Sequence, residues 1–162
     1  EVVRKAYDGA SAKLLPEMLE YVKGVAMRPG FDTFLDTCEA LGIGVVVISG
    51  GARQFLNQKL SPYEGRLLGI HAASLTVCDD ALHLESSFDD GNELVKKTAV
   101  MALYDYDRSI GIGDSFTDCN MARAVDRVFA RDVLAEYLEK QKLAYTPFED
   151  FYSIAAAISS SR

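Results

Sequence analysis

Two rhythms of apolar residues alternate along this chain. Leu14, Leu15, Met18, Leu19 and Val22 fall at helical spacing inside a helical stretch expected over residues 1–27, with Pro16 tolerated near a helix start. Arg28-Pro29-Gly30 breaks that pattern. Phe31, Phe34, Leu35, Cys38 and Leu41 then return at steps of three and four, one face of an amphipathic helix that Gly42 stops. Residues 43–48 are a nearly continuous, valine-rich apolar run, which suits a strand buried on both faces. It ends at Ser49-Gly50-Gly51, and a helix is expected over 52–60. Leu75, Val77, Leu82 and Leu84 alternate around Cys78-Asp79-Asp80-Ala81 and predict a hairpin. Beyond it the pattern predicts helices over 92–103, 116–125, 135–141 and 151–158 and strands over 108–112, 127–130 and 143–145. The tail, 159–162, is polar and expected to fray.

Strands alternating with helices predict an α/β domain with a mainly parallel sheet. In such sheets ligands sit beyond the carboxyl ends of the strands. Composition adds exclusions. A chain of 162 residues suffices for one ordinary domain, and a net charge of −7 argues against nucleic acid or an anionic membrane as partner. Neither a membrane-length apolar run nor a signal peptide is visible. The three cysteines, Cys38, Cys78 and Cys119, are widely spaced and odd in number. They read as small buried hydrophobes in a reducing, cytoplasmic compartment, not as a disulfide framework or zinc site.

Candidate chemistry falls just after two of the apolar runs. Ser49-Gly50-Gly51 offers a hydroxyl and unhindered N–H groups at a strand-to-helix turn, a cradle for an anion, although such a turn is also common without any ligand. Gly113-Asp114-Ser115-Phe116-Thr117-Asp118 follows the strand at Ile110-Gly111-Ile112. Two carboxylates four residues apart across this turn, Asp114 and Asp118, repel one another unless a cation lies near, and a hard cation such as Mg²⁺ suits oxygen ligands. Helix capping explains one of the acids, but not why the strand ends in Gly-Asp. Lys96-Lys97 opens the preceding helix, where a lysine runs against the helix dipole. Gly111-Ile112-Gly113 lacks the later glycine of a dinucleotide-binding loop, which leaves a nucleotide-fold methyltransferase as a remote alternative.

In this order, Ser49-Gly50, Lys97 and Gly113-Asp114 with Asp118, the pieces resemble the haloacid dehalogenase (HAD) superfamily of phosphatases, in its helical-cap branch with phosphoserine phosphatase. Arg28-Pro29-Gly30-Phe31, Val47-Ile48-Ser49-Gly50-Gly51, Val128-Phe129-Ala130-Arg131-Asp132 and the segment from Tyr145 to Tyr152 are similar to the methionine-salvage phosphatases of that branch. The resemblance implies a three-layer α/β/α, Rossmann-like core over 28–158, with residues 1–27 as the end of a helical cap. It implies a small phosphorylated metabolite as substrate and Mg²⁺ as cofactor. It also implies roles: Ser49, Gly50 and Gly51 bind phosphate, Lys97 neutralises it and steadies the nucleophile, Asp114 ligates the metal, and Asp118 belongs to the same metal site and orients its shell. Arg53, Arg28 and Arg131 are further possible substrate contacts, with a surface role as the ordinary reading of each.

One departure is severe. The family's nucleophile comes from an Asp-x-Asp at the end of the first strand, and no early apolar run here ends that way. Asp105-Tyr106-Asp107 has the spacing but precedes its strand. The expectation is a chain without the central first strand, poorly stable and without turnover alone. The alternative is a module that binds a phosphorylated ligand without catalysis, or one completed by a partner.

Overall fold

The computed structural model describes residues 5, 7 and 9–160, so residues 1–4, 6 and 8 of the expected first helical stretch and 161–162 of the expected tail lie outside the described residues. Contacts gather into two compact units, one holding the chain up to Met27 together with Gly44–Lys96, the other holding Arg28–Ile43 together with the chain from Lys97 onward.

In the first unit the Ser11 side chain accepts the Lys13 N–H and opens a 3₁₀ turn, Ala12–Leu14, that leads into α1 (Leu15–Gly24) with Pro16 in its first turn. Strand β1 (Val46–Ala52) runs parallel to β2 (Gly69–Cys78), and β2 pairs antiparallel with β3 (Ala81–Glu85). The hairpin turn places Asp79 and Asp80 at φ 50° and 64°, left-handed positions that a short acidic side chain tolerates and that suit a two-residue turn between twisted strands. Cys78, at the end of β2, is exposed, which corrects the expectation of three buried cysteines; Cys38 and Cys119 are buried. Helix α3 (Arg53–Leu60) follows β1 directly.

The second unit begins with α2 (Phe31–Leu41), whose buried Phe31, Phe34, Leu35 and Cys38 match the expected face. It packs on α7 (Phe151–Ser159), where the Phe151 ring meets Phe31 and Phe34 at 5.0 and 5.1 Å. Gly30 sits at φ +83°, and the Phe151 N–H donates to the Pro29 carbonyl at 2.9 Å. A Cβ on Gly30 would lie 2.5 Å from the Tyr152 backbone nitrogen. Gly30→Ala is therefore expected to cost about 1–3 kcal/mol, read as a lower urea midpoint with an unchanged m value.

Strands β4 (Ile110–Gly113), β5 (Arg127–Ala130) and β6 (Thr146–Pro147) form a parallel sheet in that order. Helices α4 (Lys97–Met101), α5 (Cys119–Ala124) and α6 (Asp132–Lys140) accompany it, and a core of Cys119, Ala122, Val128, Ala130, Leu134 and Leu138 joins α5 and α6 to β5. Among the described residues three of the four strand pairings are parallel, so the α/β class with mainly parallel strand pairing holds. β1 and β4 each lie at the edge of a sheet, and among the described residues no named strand pairs along their outer sides.

Several expected elements shift: the helix expected over 135–141 begins at Asp132, the described part of the helical stretch expected over 1–27 forms its α-helix at Leu15–Gly24, and three others move for reasons the hydrogen bonds show. The strand expected over 43–48 is Val46–Ala52, and the one expected over 143–145 is Thr146–Pro147. In both cases the leading apolar residue closes the preceding helix instead. The Ile43 N–H donates to the Cys38 carbonyl and the Leu143 N–H to the Leu138 carbonyl, each just after a left-handed residue, Gly42 or Lys142. The helix expected over 92–103 is only Lys97–Met101. The Asp90 carboxylate accepts the N–H groups of Asn92 and Glu93, and the Lys96 N–H goes to the Phe88 carbonyl, so that backbone is committed to turns.

Candidate active site

Strand β4 delivers Gly113-Asp114 at its carboxyl end, and the chain turns at once into a 3₁₀ turn, Phe116–Asp118, and α5. The two glycines of β4 make that return possible. A Cβ on Gly111 would meet the Met121 sulfur and, at 3.0 Å, Val125 Cγ2, while one on Gly113 would lie 2.7 Å from Asp118 Cγ. Asp118 is thereby laid against the strand end. Its Oδ2 accepts the N–H groups of Asp114 at 3.0 Å and Ser115 at 2.9 Å, and the Ser115 hydroxyl at 3.2 Å. Ser115 and Asp118 form a capping box, so the capping reading of this segment is correct as far as it goes.

Capping leaves the other oxygen unexplained. Asp118 Oδ1 receives the ammonium of Lys97, the first residue of α4. Both residues are buried, at 7% exposure for Lys97 and 5% for Asp118. Burial pushes the Asp118 carboxyl up, but the Lys97 charge, its hydrogen bond and the two backbone N–H groups outweigh that, and the group is held below the ordinary carboxylate range. Lys97 and Asp118 thus form a buried, fully directed ion pair beneath the Asp114 backbone.

Asp114 itself faces outward, its side chain about half exposed. Its carbonyl accepts the Leu134 N–H from α6, and the neighbouring Gly113 carbonyl accepts the Arg131 N–H, so its main chain is tied to the turn after β5. Its carboxylate carries Arg28, whose Nη2 lies 3.2 Å from Oδ2. The ordinary surface reading of Arg28 is corrected here, because the side chain is two-thirds covered and reaches a candidate site residue. Arg28 and Arg131 both point Nη1 at the Glu149 carbonyl, at 3.5 and 2.7 Å, and both lie against the Phe148 ring. The only local sign of this role was Pro29-Gly30, which fixes the backbone beside Arg28.

Ser49, Gly50 and Gly51 belong to the first unit. They are not a turn beyond the strand, as expected, but a bulge within it. Ser49 pairs with Ala72 and Ala52 with Ala73, which leaves Gly50 and Gly51 as extra residues. The Gly51 N–H donates to Ser49 Oγ at 3.0 Å, and nothing lies within 4 Å of the space a Cβ on Gly50 would fill. Arg53 opens α3 immediately afterwards.

Among the described residues no cluster of three or more His, Cys, Asp or Glu side chains is arranged to hold a metal ion. One outward carboxylate that already carries a cationic partner does fit Mg²⁺, which binds through one or two carboxylates and takes its other ligands from water and phosphate.

The chain has relatives. The profile of the haloacid dehalogenase-like hydrolases matches residues 1–123. A 2-hydroxy-3-keto-5-methylthiopentenyl-1-phosphate phosphatase of Microcystis aeruginosa (strain NIES-843) is 33% identical over 155 residues, covering 94% of this chain and 73% of that protein. A phosphatase of the same description from Exiguobacterium sibiricum is 30% identical, covering 90% of this chain and 72% of the relative. Among solved structures, phosphoserine phosphatase from T. onnurineus superposes with a TM-score of 0.65 at 16% identity, over 98% of this chain and 70% of that one. A substrate-bound phosphoserine phosphatase gives 0.66 at 16% identity, over 93% of this chain and 71% of its own length. Matched in sequence over most of its length and in fold over nearly all of it, the chain belongs to the haloacid dehalogenase-like hydrolase family.

Proposed function

We propose that this site serves Mg²⁺-dependent hydrolysis of a small phosphate monoester, with the substrate named in the curated relatives, 2-hydroxy-3-keto-5-methylthiopentenyl-1-phosphate, as the first candidate. The observation that carries the reading is the buried Lys97–Asp118 pair locked beneath Asp114. Such a pair is costly to bury, and its role here would be to orient the outward carboxylate at the strand end.

Asp114 is the residue that would hold Mg²⁺, and Asp118 would act through it, because its oxygens are engaged by Lys97, Asp114 and Ser115. Bound there, Mg²⁺ would neutralise phosphate oxygens. Lys97 has three ammonium donors, of which one is directed to Asp118, and would contribute a second positive charge to the phosphate. Ser49, whose Oγ already accepts the Gly51 N–H, would donate its hydroxyl to a phosphate oxygen, and the open space beside Gly50 would allow close approach. Positioning and charge neutralisation of this kind supply most of the catalysis in phosphoryl transfer. The attacking group would be the aspartate of an Asp-x-Asp, forming an aspartyl-phosphate that water then hydrolyses. No described strand ends in that motif, and Asp105-Tyr106-Asp107 precedes β4. The second reading is a module that binds a phosphorylated ligand without catalysis, or one that a partner completes. The free thiols of Cys38, Cys78 and Cys119 suit a reducing compartment such as the cytoplasm.

Both readings require binding. Titration of the 162-residue chain with inorganic phosphate is expected to shift the amide signals of Ser49, Gly50 and Gly51, and titration with Mg²⁺ those of Asp114 and Ser115. Asp114→Asn is expected to weaken the Mg²⁺ response about tenfold or more, ~1.4 kcal/mol. A chain indifferent to both ions refutes the site. Turnover of the methylthiopentenyl phosphate by these residues alone would refute the need for an Asp-x-Asp.

A further inference from the structure

Arg28 is held in place by more than its ion pair. Pro29 disfavours helical backbone at Arg28, Gly30 turns the chain at φ +83°, and the Phe151 N–H fastens the Pro29 carbonyl to the start of α7. Its guanidinium then rests 5.7 Å from the Phe148 ring centre, with Nη1 toward the Glu149 carbonyl and Nη2 on Asp114. The Asp114 contact is partly solvated, 32% exposed on the arginine and 48% on the aspartate, and such pairs are weak. The ring and the carbonyl are independent of Asp114, so the arginine keeps two supports when that contact is lost.

We propose that Arg28 is a positioning residue: it is the counter-ion of Asp114 in the metal-free state, and a divalent cation displaces it from the carboxylate without displacing it from the site. This rests on the reading of Asp114 as the cation ligand. A carboxylate at a strand end, left with no partner, would repel the buried Asp118 below it and turn away. Arg28 keeps it aimed and charge-compensated until the stronger cation arrives. Exchange then releases Nη2 at the carboxyl ends of β4 and β6, where a bound monoester would offer it oxygen atoms. Arg131 shares the Phe148 ring and the Glu149 carbonyl but pairs with Asp132 at 2.8 Å, so it supplies a matched control of the same charge.

Mg²⁺ titration of the full chain tests this, followed at the Asp114 and Ser115 amides and at the Arg28 side-chain N–H. Exchange predicts that the Arg28 signal moves with the same midpoint as the amides. It predicts that Arg28→Ala, and Arg28→Gln as the variant that keeps most of the packing stem, bind Mg²⁺ about two- to fivefold more tightly, the range expected when a partly exposed competing ion pair is removed. Arg131→Ala is expected to leave the affinity unchanged. An Arg28 signal that stays still while the amides move, or Arg28 variants that bind no tighter than Arg131→Ala, overturns the exchange and leaves the Mg²⁺ site standing. If Mg²⁺ moves neither set of signals in the wild type or in either Arg28 variant, the cation reading of Asp114 falls, and the exchange falls with it.

Discussion

Lys97→Met is expected to remove about 3–5 kcal/mol of stability at neutral pH, a large share of what a domain of this size has. Methionine fills nearly the same volume, so packing is not the reason. The loss comes from Asp118, which stays buried with its charge and without its cation. The pH dependence identifies that cause. In the wild type the Asp118 carboxyl is held below its ordinary range, so its contribution is present above about pH 4, the unfolded carboxylate value, and is lost as pH falls through the folded value. In the variant burial acts without the ammonium to oppose it, and the carboxyl moves up. A protonated Asp118 needs no cation, so the deficit of Lys97→Met is expected to be largest near pH 7 and to shrink below about pH 4. Urea unfolding at the two pH values measures it. An equal deficit at both would show that the lysine acts through packing. The double variant Lys97→Met, Asp118→Leu is expected to recover most of the stability, since buried pairs are often matched by apolar residues of similar size. It is also expected to lose the Mg²⁺ response at Asp114, because nothing then fixes the Asp114 N–H.

How much of this was legible in the sequence depends on how local each cause is. The α2 face, the hairpin at Asp79-Asp80, β5 and α7 were read nearly to the residue, because periodicity and turn chemistry act within a few positions. The two displaced strands share one physical error. An apolar residue just after a left-handed helix end can open a strand or close the helix, and Ile43 and Leu143 close theirs. At Gly42 the stop was visible but not its second hydrogen bond; before Lys142 the helix end was placed within a residue, but the left-handed turn that closes it was hidden, since lysine rarely takes a positive φ. The site divides in the same way. Gly113-Asp114 and Asp118 stood out because they lie four residues apart, and the choice between a cap and a charged site was a false one, since Asp118 does both. Arg28 stood out only as a possible substrate contact; its pairing with Asp114 was not legible, because the two lie 86 residues apart, a distance across which a single sequence carries no signal beyond the Pro-Gly turn.

Gly113→Ala is expected to be nearly as damaging as loss of the lysine, for a purely steric reason. Gly113 is not among the glycines at positive φ, so alanine can adopt its backbone without strain. The added Cβ instead falls 2.7 Å from Asp118 Cγ and 2.8 Å from its Oδ2. Asp118 cannot give way cheaply, because Lys97, the Asp114 and Ser115 N–H groups and the Ser115 hydroxyl hold both of its oxygens. Overpacking of a rigid site costs about 1–3 kcal/mol, and any shift of the carboxylate weakens the buried pair as well. The variant is therefore expected to lose about 3 kcal/mol in urea unfolding and, where still folded, to respond weakly to Mg²⁺. Gly50→Ala is the contrast. Nothing surrounds the position, so stability is expected to stay within about 0.5 kcal/mol while phosphate binding at the Ser49 bulge weakens, because the Cβ fills the space that the ligand would use. If Gly113→Ala keeps full stability, Asp118 is not pressed against the strand end as described. If Gly50→Ala binds phosphate as the wild type does, the open space at the bulge is not where the phosphate goes.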